Sequence, residues 1–123
     1  MRKILIIEDD QDMALVLKKN LESQGFRVLV AHDGLEGTKT AHNEKPDLII
    51  LDLNLPAGGG DTILHALKLS TNTNAIPVLI LTGTSDEELK KQVQRQDIAD
   101  FIIKPYELPD LVSRIRGILN IDD

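Results

Sequence analysis

Cysteine and tryptophan are absent from this chain, and its aromatic side chains are two phenylalanines and one tyrosine. The first absence excludes disulfides, thiol chemistry and cysteine-based zinc sites. The shortage of aromatics leaves the core to Ile, Leu, Val and Ala. Long apolar runs are missing too, since polar residues interrupt each one after a few positions, and this excludes a membrane span. The amino terminus, MRKILIIEDD, starts basic, but its acids cut the apolar stretch too short for a signal peptide. A cytoplasmic location is therefore expected. Excess positive charge is also lacking: the net charge is −6 and the pI about 5.0. Direct nucleic-acid binding by this domain is not expected, because that function wants a basic face.

What is present is ordinary globular composition, 41% hydrophobic and 28% charged over 123 residues. That length suits one core, so the expectation is a single domain over 1–123 with no output domain following. Five short apolar runs recur: Lys3–Ile7, Arg27–Ala31, Leu48–Leu51, Val78–Leu81 and Phe101–Ile103. Their continuous rather than alternating apolar character predicts parallel strands covered on both faces. Five stretches follow them at helical spacing. The first runs from Asp10 to Gln24 with Met13, Leu17 and Leu21 on one face and Gly25 just past its end. The second, Asp33 to Lys45, has Asp33 as N-cap but carries the poor helix formers Gly37, Thr38 and Thr40. The third follows Gly58, Gly59 and Gly60 and turns Ile63, Leu64 and Leu67 inward. The fourth opens with a Ser85/Glu88 capping box, and the fifth, from Glu107, carries Leu111, Val112, Ile115 and Leu119.

Five βα units with right-handed crossovers predict an α/β fold, a flavodoxin-like doubly wound (βα)5 domain with parallel strand order 2-1-3-4-5. In such sheets the active crevice lies outside the carboxyl ends of the strands. The first strand ends in Glu8-Asp9-Asp10, the third in Asp52, the fourth in Thr82 and the fifth in Lys104. Gathered carboxylates repel one another unless a cation relieves them. Oxygen donors without His or Cys favour Mg2+, or Mn2+, over softer metals. An ammonium and a hydroxyl beside a carboxylate nucleophile suit the oxygens of a phosphoryl group in transit. Asp10 reads as a cap, and His32, His42 and His65 read as surface or satisfied residues without ligand spacing.

Four segments in order, ILIIEDD, PDLIILDLNLP, PVLILTG and DFIIKPY, resemble the receiver domains of two-component response regulators. The resemblance spans the whole chain. It implies Asp52 as the phosphoacceptor, supplied by a histidine kinase or phosphotransfer protein. It further implies Glu8 and Asp9 as the magnesium pair, with Asp52 and the Asn54 backbone carbonyl as further ligands. Thr82 would be the switch hydroxyl, Phe101 the switch aromatic and Lys104-Pro105 a cis bond beside the catalytic ammonium. Gly60 matches a glycine the family usually carries, whereas Gly58 and Gly59 depart from its pattern. Asp97-Ile98 also departs, standing where the family often has Gly-Ala; a left-handed Asp97 would preserve that turn.

The resemblance makes the chain a phosphorylation-dependent switch rather than a turnover enzyme, with its output on the face of the fourth predicted helix, the fifth strand and the fifth predicted helix. Two alternatives compete. A magnesium-dependent aspartyl-phosphate hydrolase of the haloacid-dehalogenase type would place a second Asp where Asn54 stands. A degenerate receiver acting only as a binding module would have lost part of the acidic, hydroxyl and ammonium set. The last helix also resembles that of receivers that dimerise through the same face, with Asp100 and Arg114 as a cross-subunit salt bridge. A homodimer is thus a further expectation.

Overall fold

The computed structural model describes residues 1–53, 59–83, 87, 91 and 97–121. Its elements in chain order are β1 (Lys3–Ile7), α1 (Gln11–Ser23), β2 (Arg27–Ala31), α2 (Gly34–Glu44), β3 (Leu48–Leu51), α3 (Gly59–Leu69), β4 (Val78–Thr82), β5 (Asp100–Ile103) and α4 (Leu108–Leu119). The strands form one sheet in the order β2-β1-β3-β4-β5, and every pairing is parallel. This is the flavodoxin-like arrangement expected from the apolar runs. The fourth predicted helix with its Ser85/Glu88 box, and the loop holding Asn54 and Gly58, lie outside the described residues. Among the described residues, no helix is long and apolar enough to cross a membrane.

Strand pleating explains why the runs are continuous. Ile4 and Ile6 of β1 join Leu48, Ile50, Leu79 and Leu81 on one face, under Leu17 and Leu21 of α1 and Leu111 and Ile115 of α4. Leu5 and Ile7 join Ile49, Leu51 and Ile80 on the other, under Ala41 of α2 and Leu64 and Leu67 of α3. With both faces covered, an alternating strand would bury polar groups in one layer. Each fully buried Leu or Ile contributes about 1.5–3 kcal/mol by leaving water, which anchors the strand ends that carry the polar site.

The helix boundaries follow from their caps. Asp10 accepts hydrogen bonds from the backbone N–H groups of Asp12 and Met13, and Asp33 from that of Glu36, so each satisfies donors that a helix start leaves open. Gly25 has φ of +95°, the left-handed geometry expected of a residue just past α1. Four details differ from the sequence reading. Met13 is exposed, because the buried stripe of α1 is Ala14, Leu17 and Leu21. α3 begins inside the glycine run, at Gly59, and β4 includes Thr82. β5 begins at Asp100, one residue before the apolar run.

The glycines that weaken α2 have a packing reason. A Cβ on Gly37 would stand 2.6 Å from Ile7 Cδ1, and one on Gly34 would run into the end of the Ile63 side chain. α2 therefore trades helix propensity for close approach to β1 and α3.

Candidate functional site

The carboxyl ends of β1, β3, β4 and β5 bring Glu8, Asp52, Thr82 and Lys104 together, as the strand-end rule predicts. The sheet itself does the aiming. The Asp52 N–H donates to Ile7 O at 3.1 Å, and the Lys104 N–H donates to Thr82 O at 2.7 Å. Asp52 and Lys104 thus each stand one step beyond a rigid ladder, and Thr82 closes its own strand. Glu8, Asp52 and Thr82 are buried despite their polarity, which demands partners. Thr82 Oγ1 donates to Asp52 Oδ1 at 2.8 Å. Lys104 Nζ donates to Glu8 Oε1 at 2.7 Å and to Asp52 Oδ2 at 3.3 Å. The Lys104–Pro105 peptide is cis, as the resemblance implies.

Electrostatically the cluster is over-supplied with acid. Carboxylate oxygens of Glu8, Asp9 and Asp52 lie within 4.8 Å of one another, with Asp9 exposed and the other two buried. Burial pushes the Glu8 carboxyl from 4.5 up to about 7; the Lys104 hydrogen bond opposes that rise, and Asp52 adds to it. Burial pulls the Lys104 ammonium down, but its bond to Glu8 and the charge of Asp52 outweigh this, and its pKa is raised. Lys104 therefore stays charged and serves as the internal counter-ion. One ammonium does not balance three carboxylates. The all-oxygen donor set and the raised Glu8 carboxyl both fit a hard divalent cation.

α3 approaches Asp52 from the other side. The Gly60 N–H donates to Leu53 O at 2.9 Å. A Cβ on Gly60 would stand 2.6 Å from Asp52 O and run into Leu53 Cα. The glycine that sequence reading matched to a family position is therefore required by backbone-to-backbone contact beside Asp52.

The family profile of the response regulator receiver domain matches residues 4–116. The chain belongs to this family. The DNA-binding dual master transcriptional regulator RpaA of Synechocystis is 37% identical over 123 residues, which is 100% of this chain and 51% of that protein. The chain spans about half the length of the curated relatives it matches. The receiver domain of a signal transduction histidine kinase from Syntrophus aciditrophicus superimposes with a TM-score of 0.90 at 32% identity, covering 98% of this chain and 91% of that one. The receiver domain of the sensor histidine kinase PA1611 from Pseudomonas aeruginosa PAO1, with a magnesium ion coordinated in its active-site cleft, has a TM-score of 0.89 and covers 97% of this chain and 98% of its own. At 23% identity that likeness concerns the fold. This receiver domain is a module of two-component signalling.

The remaining sequence expectations fall as follows. Phe101 is half-buried against the layer of Ile7 and Ile80, on the strand that Lys104 follows. Asp100 and Arg114 pair within the chain at 3.1 Å, and Arg114 also holds Asp110 at 3.1 Å. The pair joins α4 to β5 across a sequence separation of 14. His32 was read as a surface or satisfied residue; its Nδ1 lies 3.2 Å from the Glu8 carbonyl oxygen. Spacing rules miss such a contact because the partner is backbone.

Proposed function

We propose that this receiver domain accepts a phosphoryl group on Asp52 from a histidine kinase or phosphotransfer protein, and that the new charge alters its β5 and α4 surface. The observation that carries the reading is the convergence of Glu8, Asp9, Asp52, Thr82 and Lys104 on one crevice. An Asp52 carboxylate oxygen attacks phosphorus; the phosphohistidine P–N bond breaks as the Asp52 O–P bond forms, and the imidazole nitrogen leaves with the electron pair. Lys104 and Thr82 already contact the two Asp52 oxygens and so flank the phosphorus once it is attached. Glu8, Asp9 and Asp52, with the Asn54 carbonyl, would hold Mg2+, or Mn2+ in its place. When bound, that cation supplies positive charge to the phosphoryl oxygens. After transfer, Thr82 exchanges its Asp52 bond for a phosphoryl oxygen, and Phe101 follows it inward. Slow self-hydrolysis returns the switch to its resting state. Incubation with acetyl phosphate and magnesium should yield acid-labile, hydroxylamine-sensitive phosphate on one residue; absence of label would refute the reading.

The Glu8 proton makes a separate prediction. Magnesium competes with that proton, so its apparent affinity should climb about tenfold per pH unit below 7 and level off above it. Without magnesium the sign on folding is opposite. The native state keeps a proton that unfolded Glu8 has lost, so stability falls as pH rises from 4.5 through about 7. Calorimetric titration checks the first and urea unfolding the second. A magnesium affinity flat between about pH 6 and 8 would contradict the assignment of Glu8.

Homodimerisation belongs to the same proposal, through the face of the fourth predicted helix, β5 and α4. Because Arg114 pairs with Asp100 in the monomer, a dimer must use the pair as it stands or re-partner it. Sedimentation with beryllofluoride and magnesium should show a dimer where the untreated domain is monomeric. An unchanged monomer would remove this part of the reading.

A further inference from the structure

We infer that His32 is a positioning residue for the acidic pair Glu8-Asp9, acting through the Glu8 backbone; the inference rests on the cation site proposed above. β2 lies on the far side of β1 from Asp52, so His32 reaches Glu8 from outside the crevice. The two strands pair in register from Lys3 with Arg27 to Ile7 with Ala31, and the Glu8 N–H extends the ladder by donating to Ala31 O at 3.0 Å. Beyond Ala31 the chain leaves the sheet, because Asp33 turns to cap α2. The Glu8 carbonyl is met by the imidazole of His32, with Nδ1 at 3.2 Å. The side chain thus supplies a donor where the strand has ended.

A backbone carbonyl only accepts, so Nδ1 carries the hydrogen in this contact. Both backbone polar groups of Glu8 are then tied to the end of β2, and the Glu8–Asp9 peptide is restrained from rotating. That peptide sets the directions in which the two neighbouring carboxylates leave the main chain. One of them is buried against Lys104, whereas the other is exposed and has no packing to orient it. Restraint of the shared peptide therefore matters most for Asp9. Oxygen ligands must adopt near-octahedral directions around magnesium, so a loose peptide costs affinity.

The test uses the whole chain with magnesium chloride as the probe. Affinity is measured by calorimetry for wild type, His32→Phe and His32→Asn. Phenylalanine keeps the ring without a donor; asparagine places an amide N–H where Nδ1 stands. His32→Phe should weaken magnesium binding about tenfold, the low end for supporting groups around a metal, and His32→Asn should stay within about twofold of wild type. The imidazole 15N spectrum of magnesium-free wild type should show Nδ1 protonated. If the ring fails to fit and the phenylalanine variant unfolds, His32→Ala replaces it as the donor-free protein. Equal affinity in wild type and the donor-free variant overturns the inference alone. So does an asparagine variant as weak as the donor-free one, or a bare Nδ1. A wild-type protein that binds no magnesium overturns the cation site as well.

Discussion

Asp52→Asn should lose all phosphate incorporation from acetyl phosphate, while the domain stays folded and at least as stable as wild type. Asparagine matches aspartate in volume, and its amide oxygen still accepts the Thr82 hydroxyl that Asp52 Oδ1 accepts at 2.8 Å. Lys104 keeps its shorter bond to Glu8 at 2.7 Å. What disappears is the nucleophile, because an amide oxygen does not form a stable phosphoryl ester. One carboxylate also leaves a crowded acidic cluster, so no buried charge loses its only partner. Asp52 helps to raise the Glu8 carboxyl, so in the variant that carboxyl should titrate below about 7. Radiolabel retention, thermal unfolding and the Glu8 titration together separate loss of the acceptor from loss of the fold. Full labelling of the variant would move the acceptor elsewhere and sink the proposed function.

The second large effect is structural. Gly60→Ala places a methyl group against Leu53 Cα and 2.6 Å from Asp52 O. Both obstacles are main chain and neither can rotate aside. The start of α3 must move off the end of β3, with loss of the 2.9 Å bond from Gly60 N–H to Leu53 O. Overpacking of this kind costs about 1–3 kcal/mol or more, and alanine recovers at most about 1 kcal/mol through helix propensity. A net loss of about 2 kcal/mol should appear as a lower urea midpoint at unchanged slope. Gly34→Ala offers the contrast, since its methyl meets the flexible end of Ile63 and the cost should be smaller. A Gly60→Ala protein as stable as wild type would show that α3 can shift freely.

How far the sequence could be read followed the range of each interaction. The strands were legible because burial on both faces leaves little room for polar residues in runs such as LIIL of β3. Their order and the crevice then followed from chain topology, and four of the strand-end residues meet there. Helix faces were less certain. Met13 and Ala14 both fit a stripe with Leu17 and Leu21, and only packing against the sheet chooses Ala14. The start of α3 was read too late, since glycine ordinarily marks a loop, whereas here Gly60 answers to a neighbouring backbone. The approach of Arg114 to Asp100 within the chain was not legible, because it depends on where α4 places its side chains relative to β5. His32 carried no signal at all, as its partner is a carbonyl group that every residue possesses.

The position of β5 at the rim of the sheet has a mechanical consequence. β1 and β3 are each stitched on both sides, whereas β5 is joined to β4 alone over four residues. A small displacement of β5 strains one ladder, and the same displacement of β3 strains two. Asp52 thus follows a stiff beam, whereas Phe101 stands on a compliant one and Lys104 just past its end. Under the proposed function, charge added at Asp52 would be relieved at least elastic cost by movement of the rim. A response begun in the middle of the sheet would then be delivered to its edge, where another molecule could feel it.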